Sequence, residues 1–302
     1  MPSLRGSFNS GDVEIHDAGS SRRGAIRWAN GPFCPYCGAT KIYHFADDKT
    51  HKCGDCRQRF SIKVGTIFED TKLPLKKWFI AIWLITSHKK GIASTQLARD
   101  VGVTQKTAWF MTHRLREAAK TKSFNRPLGG MVEIDETFVG GKEGNKHEWK
   151  RLHAGPTAGK TAVFGMMERD GDLRAMKVDD LSAKTVQSKV VEHIEAGTNI
   201  MSDESASYLG LEGRFHHHTV NHSIGEYVRD YFCHVNGLEG AWSHFKRQVF
   251  GIHHFVSAKH LDRYLDEFTW RYNRREFKEG DRVNALLAAA DGKRITYPQL
   301  IE

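Results

Sequence analysis

Apolar residues recur at helical spacing early in the chain, well after a polar stretch that covers the first thirty residues. Over residues 75–83 they fall at intervals of three and four, which predicts an amphipathic helix with one buried face. A second helix is predicted over Ser94–Val101, with Ser94 as its N-cap and Gly102 as its stop signal. The predicted buried face of the first helix comprises Leu75, Trp78, Phe79, Ile82 and Trp83.

A third helix is predicted from Thr104, a typical N-cap residue, to about Ala119. With the second helix and the turn at Gly102 it suits a helix-turn-helix, whose second helix presents its N-terminal end to DNA. The alternative is a helical hairpin that only packs. The candidate DNA contacts at that end are Thr104, Gln105, Lys106 and Thr107.

Beyond a linker at residues 125–130 the pattern becomes mixed α/β, with strand-type alternation interrupted by helical spacing. Between the first two strands, the glycine-rich basic segment 140–160 is predicted to be a mobile loop. Strands are predicted over 131–138, 161–168, 173–178 and 199–202, and helices over 182–195, 236–250 and 258–275.

The charge balance favours a polyanionic partner without proving one. Lys and Arg number 45 against 36 Asp and Glu, for a net charge of +9 and a pI near 9.3. Each phosphate that a basic protein neutralises releases condensed counterions, although many basic proteins bind no nucleic acid. The longest apolar run, residues 78–85, is far below membrane length, and no signal peptide is evident. We therefore predict a cytoplasmic protein with no membrane partner, in which most cysteines stay reduced.

Four of the five cysteines form two CxxC pairs, Cys34 with Cys37 and Cys53 with Cys56. Two such turns supply four thiolates to one tetrahedral ion, so the spacing predicts one structural zinc per chain in a zinc ribbon. A single CxxC would also fit a redox motif, but paired motifs at this spacing favour zinc. Cys233 stands alone and is interpreted as an ordinary buried thiol.

Acidic residues stand where a catalytic metal centre could form. Asp135 lies in an apolar strand, and Asp203 follows the short strand 199–202. Carboxylates at neighbouring strand ends share divalent cations about 4 Å apart. In the predicted helix beyond them, positions 236, 239, 243 and 246 share one face, so Asn236, Glu239 and Lys246 line up. The alternative is that these are ordinary surface charges among 36 acidic residues.

Several motifs resemble those of insertion-sequence transposases. They are Val132-Glu-Ile-Asp-Glu-Thr-Phe-Val-Gly-Gly141, Val220-Asn-His-Ser with Glu226-Tyr-Val, His234-Val-Asn-Gly-Leu-Glu-Gly-Ala-Trp242, and Tyr264-Leu-Asp-Glu-Phe with Arg271-Tyr-Asn. They are most similar to the insertion-sequence 1595 family (ISXO-two-like transposase domain), and the likeness runs from about Gly31 to Arg275.

This resemblance implies an α/β fold, with a ribonuclease-H-like catalytic domain that carries an acidic triad and two Mg2+ or Mn2+ ions. Asp135 and Asp203 match the first two acids, and thirty-five residues separate Asp203 from Glu239. Some family members are described with Asn as the third ligand, and Asn236 lies one turn from Glu239. We favour Glu239, because a carboxylate holds Mg2+ better than an amide does.

The expected activity is cleavage of the element's ends followed by strand transfer into target DNA. Lys246 is expected to contact a phosphate near the cut, with support from Arg247. The implied partner is double-stranded DNA, both terminal inverted repeats and target, bound by at least a homodimer at the bacterial nucleoid. Two alternatives stay open: a DNA-binding regulator with an inactive nuclease-like domain, and a nuclease that cuts without joining.

The predicted organisation has five parts. In chain order they are a flexible leader over 1–30, a zinc ribbon over 31–68, a helix-turn-helix segment over 69–122, a ribonuclease-H-like domain over 128–280 and a C-terminal tail over 281–302.

Overall fold

The computed structural model describes residues 26–47, 49–120, 126–141, 143–152, 155–221, 224–225, 228–230 and 232–302. It divides into two compact units. The first unit takes in Met1–Ser87, Ser94–Ala118 and Lys278–Glu302, and the second His88–Ala93 and Ala119–Phe277. Most of the predicted leader, residues 1–25, lies outside the described residues.

The first unit begins with a small antiparallel sheet. Its strands are β1 (Ile42–His44), β2 (Thr50–Cys53) and β3 (Arg59–Ser61), in the order β1-β2-β3. The small core around this sheet is formed by Cys34, Cys53 and Phe60. A core of this size contributes little burial energy, so the ribbon needs another source of stability.

Three helices follow the ribbon in the first unit: α1 (Leu75–Ser87), α2 (Ser94–Val101) and α3 (Gln105–Ala119). Gly102 has a φ of +66° between the last two, as a helix stop requires. The predicted buried face of α1 is partly wrong, because Trp83 is 41% exposed. The stripe that packs inward is centred on Trp78, Ala81, Ile82 and Ile85.

The residues predicted as a C-terminal tail form two helices instead, α7 (Glu279–Ala288) and α8 (Tyr297–Ile301). Both belong to the first unit. Leu287 is fully buried, and the Ile67 amide donates a hydrogen bond to the Ala290 carbonyl at 3.1 Å. The apolar stripe in this segment is too short for periodicity to reveal, because its burial depends on partners distant in sequence.

The second unit is built on a five-stranded sheet with the order β6-β5-β4-β7-β8. The pairs β4–β5 and β5–β6 are antiparallel, whereas β4–β7 and β7–β8 are parallel. This arrangement is the ribonuclease-H-like fold that the family resemblance implied. The strands are β4 (Met131–Val139), β5 (Thr161–Glu168), β6 (Leu173–Val178), β7 (Asn199–Ser202) and β8 (His216–Thr219).

Helices cover both faces of this sheet. Helix α4 (Ala183–His193) packs on one face through Val186 and Val190. Helices α5 (Asn236–Gln248) and α6 (Leu261–Tyr272) share a core with the opposite face. Helix α5 ends two residues earlier than predicted and passes into a π-helical turn, Val249–His253. Within the described residues, no helix is both long and apolar enough to cross a membrane.

Candidate active site

The register between β4 and β7 brings the first two predicted acids side by side. Glu133 pairs with Met201 in this parallel ladder. The ladder ends at this pair; continued by two residues it would bring Asp135 opposite Asp203, which immediately follows β7 and whose negative charge contributes to the raised pKa of Asp135. Paired residues of adjacent strands project from the same face, and the strands lie about 4.8 Å apart. Both carboxylates therefore emerge on one face of the sheet.

Helix α5 covers that face and adds the third predicted acid. Burial raises the pKa of Asp135 to about 7, helped by the negative charges of Glu136, Asp203 and Glu239. Glu239 is thus close enough to act electrostatically on Asp135, and its role as a metal ligand stays a prediction. Asn236 is the first residue of α5 and is exposed, one turn before Glu239.

A buried carboxylate that sequence reasoning did not assign fastens α5 to the sheet. Glu133 is 1% exposed and accepts a hydrogen bond from the Leu238 amide at 2.9 Å, in the first turn of α5. Its other oxygen accepts from Arg169 Nη2 at 3.0 Å and lies 3.3 Å from His234 Nδ1. A carboxylate is favoured at a helix N-terminus, where the backbone amides are unpaired. Glu133 therefore links the strand that bears Asp135 to the helix that bears Glu239.

Two glycines allow α5 to lie this close to the sheet. Gly165 pairs with Asp135 across β4 and β5, and a Cβ there would lie 2.3 Å from the Trp242 ring. A Cβ on Gly237 would lie 2.3 Å from Met167 Cε. The Trp242 ring is rigid and buried, so a side chain at Gly165 would push the helix outward, whereas one at Gly237 would first displace the flexible end of Met167. The close approach holds the Glu239 turn over the acidic strand.

Glu136, next to Asp135 in the chain, points to the opposite face of the sheet. Glu136 accepts a hydrogen bond from the hydroxyl of the buried Tyr208, on the α4 side of the sheet. Burial raises the pKa of both groups, that of Tyr208 also through the charge of Glu136. Strand alternation separates the roles, because successive side chains face opposite sides of a sheet.

Removing the Glu133 carboxylate should destabilise the second unit. Glu133→Ala leaves Arg169 and the Leu238 amide without their acceptor, and breaking a buried pair in this way costs about 3–5 kcal/mol. Urea unfolding should show that loss. The control is Glu192→Ala, whose carboxylate pairs with Lys189 at the surface, and there we expect a change below about 1 kcal/mol. Equal losses in the two variants would contradict the anchoring role.

The predicted phosphate contacts lie in the last turn of α5. Lys246 and Arg247 are both exposed, and Arg247 Nη2 donates to Ser243 Oγ at 2.9 Å. Seven residues of helix rise about 10 Å, which is the separation of Lys246 from Glu239 along the axis. Both cations therefore face solvent on the helix that carries the third acid.

The four predicted zinc ligands come together in the first unit. Their sulfur atoms all lie within 4.8 Å of one another, with Cys34–Cys56 and Cys37–Cys53 separations of 3.6 Å. A tetrahedral zinc with bonds of about 2.3 Å would place its sulfurs about 3.8 Å apart, so the cysteines fit the ion. No other group of three or more His, Cys, Asp or Glu side chains in the described ranges is gathered as a metal-ligand set. The carboxylates of Asp135, Asp203 and Glu239 are not gathered as closely as the four sulfur atoms, as expected of negative charges that repel one another.

The residues predicted to contact DNA lie at the start of α3, and several of their side chains already form contacts within the protein. The Thr104 hydroxyl accepts from the Thr107 amide at 3.2 Å and so caps the helix. Gln105 Nε2 donates to Ser94 Oγ at 3.0 Å. The Lys106 ammonium lies 4.8 Å from the centre of the Tyr297 ring. Their role in DNA binding stays a prediction.

Two family profiles match this chain. Residues 24–59 match the transposase zinc-ribbon domain, and residues 127–273 match the ISXO2-like transposase domain. Both profiles describe insertion-sequence 1595 transposases, and together they span more than half of the chain. The chain belongs to the insertion-sequence 1595 family. It is a DNA transposase with an N-terminal zinc ribbon, as its motifs indicated.

Relatives of this transposase include a protein in the transposable element ISH50 of Halobacterium salinarum. The two are 29% identical over 273 residues, which is 83% of this chain and 90% of that protein. A transposase-like protein of Haemophilus influenzae is 26% identical over 102 residues, 33% of this chain and 80% of its own length.

Solved structures with some similarity include two complexes of the Mos1 transposase. The pre-cleavage transpososome has a TM-score of 0.25 at 14% identity, over 76% of this chain and 83% of that chain. The strand transfer complex has a TM-score of 0.28 at 14% identity, over 76% and 82%. At such scores the family assignment depends on the two domain matches alone.

Proposed function

We propose that this transposase hydrolyses phosphodiester bonds at the ends of its element and joins the freed 3′-hydroxyl to target DNA, with Asp135, Asp203 and Glu239 as metal ligands. The observation that carries the proposal is the parallel pairing of β4 with β7, which brings Asp135 and Asp203 to one edge of the sheet, where the charge of Asp203 helps to raise the pKa of Asp135. Glu239, on helix α5, is near enough for its negative charge to contribute to the raised pKa of Asp135, which supports it as the third ligand.

The residues fit hard divalent cations, which prefer carboxylate oxygens. When bound, two Mg2+ or Mn2+ ions would activate the nucleophile and stabilise the leaving oxygen. Asp135 lies on the central strand, so its carboxylate holds a fixed position, and Asp203 lines up with it. The Glu133 anchor and the close-packed glycines keep Glu239 over this pair. Lys246 and Arg247 would hold a phosphate of the bound strand.

The third ligand is Glu239 in this proposal, with Asn236 as a neighbouring ligand or orienting group. Both lie on the same face of α5, three residues apart. A carboxylate binds Mg2+ more strongly than an amide, and of these two residues Glu239 is the one that adds negative charge near Asp135.

The first unit would recognise DNA. The zinc ribbon and the α2–α3 pair, with Thr104, Gln105 and Lys106 at the start of α3, are its candidate contacts, and double-stranded element ends and target DNA are its proposed ligands. Two ends must be held together for joining, so we propose a homodimer or larger assembly on DNA. Light scattering of the complex with end DNA should give at least two chains, and a monomer would contradict this.

The proposal is tested by incubating the purified transposase with DNA that carries the inverted repeats flanking its gene. With Mg2+ we expect 3′-end cleavage and joined products on a sequencing gel, and with Ca2+ we expect binding without cleavage. Cleavage without joined products would indicate a nuclease. Binding without cleavage under every divalent metal would indicate a regulator and contradict the proposal.

A further inference from the structure

The end of α5 forms a second site on the catalytic unit. We propose that it binds an unpaired nucleotide of the DNA strand, with the phosphate on Lys90, Lys246 and Arg247 and the base stacked on Phe250. The inference rests on the proposed function and specifies the form of DNA that the transposase holds beside its acidic centre.

A cavity of about 510 Å³ lies against the last turn of α5. Three of its six lining residues are cationic, and Phe250 is its one aromatic. Lys90 and Lys246 are exposed, and within the described part of the chain neither forms an ion pair or hydrogen bond. Unneutralised cations around one cavity favour a polyanionic ligand. The lining comprises Lys90, Ser243, Lys246, Arg247, Phe250 and Gly251.

A buried network holds the segment that carries Lys90. Gly91 has a φ of +72°, and a Cβ there would lie 2.6 Å from Glu267 Oε1 on α6. Glu267 pairs with Arg271, whose Nη2 donates to Gln248 Oε1 at 2.7 Å. All three of these side chains are at least nine-tenths buried. The network links α6 to the end of α5, and Gly91 packs directly against it, which places the neighbouring Lys90 at the cavity.

Phe250, the aromatic residue that lines the cavity, is held in solvent by a π-helical turn of the backbone. Phe250 lies in the π-helical turn Val249–His253 and is 52% exposed. His254 ends the turn at a φ of +60°, and its Nδ1 lies 3.1 Å from the Phe250 carbonyl. π-Helical turns are rare and are often found at functional sites, and a non-glycine residue at positive φ is strained. The fold keeps a large apolar ring in solvent beside three cations.

These features together select the ligand. Duplex DNA presents phosphates and base edges, but its base faces are stacked and closed to a side chain. An unpaired nucleotide offers both a phosphate for the cations and an open face for the ring, and single-strand binding sites combine the same two elements. The cavity is open to solvent, and its volume of about 510 Å³ leaves room for one nucleotide.

The position along α5 fits a strand that also reaches the acids. Lys246 is about 10 Å from Glu239 along the helix axis, which corresponds to about three stacked nucleotides at 3.4 Å each. An unpaired nucleotide at this cavity would therefore lie within about three positions of the bond that the acidic centre cuts.

The test measures binding without added divalent metal, so that it does not depend on catalysis. The probes are a fluorescent single-stranded 12-mer and a duplex of the same sequence, with full-length protein that retains its zinc. Phe250→Ala should weaken single-strand binding by about 5- to 100-fold and leave duplex binding within about twofold. The matched control is Phe255→Ala, which removes an aromatic that is 70% exposed but does not line the cavity.

The charge is tested in the same way with neighbouring lysines. Lys90→Ala should lower the slope of log affinity against log salt by about 0.7 for the single strand. Lys89→Ala, which removes an exposed charge outside the cavity lining, should leave the slope unchanged. A probe with 5-iodo-2′-deoxyuridine should photo-crosslink at Phe250.

Equal losses in Phe250→Ala and Phe255→Ala, equal losses on single strand and duplex, or a crosslink that maps only elsewhere would each overturn the inference. The proposed catalysis and the proposed nucleotide site can be rejected independently of each other. Metal-dependent cleavage with unchanged single-strand binding in Phe250→Ala would reject only this site. A Phe250 crosslink in a protein that never cuts DNA would keep the site and reject the proposed chemistry.

Discussion

Asp135→Asn should reduce Mg2+-dependent cleavage by about a thousandfold or more while DNA binding persists. The amide keeps the shape of the side chain but loses the charge that would hold the cations, and metal ions supply several kcal/mol of transition-state stabilisation. Burial and neighbouring acids disfavour the charged carboxylate in the metal-free fold. The melting temperature without divalent cations should therefore stay the same or rise. Cleavage rates and melting curves measured together separate lost chemistry from lost folding.

Variants of the other two acids and of Asn236 identify the remaining metal ligands. Asp203→Asn and Glu239→Gln should be as inactive as Asp135→Asn, and Asn236→Ala should retain most activity. If Glu239→Gln is active and Asn236→Ala is inactive, the third ligand is Asn236 and the proposed triad is wrong. Glu192→Gln, on the surface of α4, controls for a general effect of lost negative charge.

Replacing Cys34 and Cys37 with serine should remove the zinc and unfold the ribbon. Two of four thiolates are lost, and binding to structural zinc contributes on the order of 10 kcal/mol to folding a small domain. Elemental analysis should fall from about one zinc per chain to almost none, and DNA affinity should fall with it. The second unit has its own core, so its thermal transition should persist.

Cys233→Ser serves as the matched control for the ribbon. This cysteine is buried in a separate small cluster of the second unit. The variant should keep its zinc and its DNA affinity. A wild-type protein that holds no zinc, or a Cys34/Cys37 variant that keeps it, would contradict the ribbon assignment.

Local patterns in the sequence were sufficient to predict most elements and the cysteine cluster. The paired CxxC motifs led to a cysteine cluster that fits zinc, and strand alternation around Asp135 led to β4. Such signals are local, because ligand spacing and a two-residue period belong to the chain itself. The family assignment followed from long motifs and is confirmed by the domain matches.

Features that depend on tertiary neighbours could not be predicted. In the sequence Glu133 looks like any acidic residue in a strand, because its partners Leu238 and Arg169 contact it only in the folded protein. Gly165 has no distinguishing context in the sequence, since only the approach of Trp242 excludes a side chain there. The helices α7 and α8 were missed for the same reason, because they bury short apolar segments against residues far away in the chain.

The placement of α7 and α8 in the first unit has a consequence for the order of synthesis. The ribbon and α1–α3 are made first, but their unit lacks residues 278–302 until the whole of 119–277 has been translated. At about 5–20 residues per second, that interval is on the order of ten seconds or more. Over this time the sheet of the second unit has all of its strands before the first unit has all of its helices. A nascent chain would thus assemble the proposed cutting centre ahead of the unit proposed to choose where to cut.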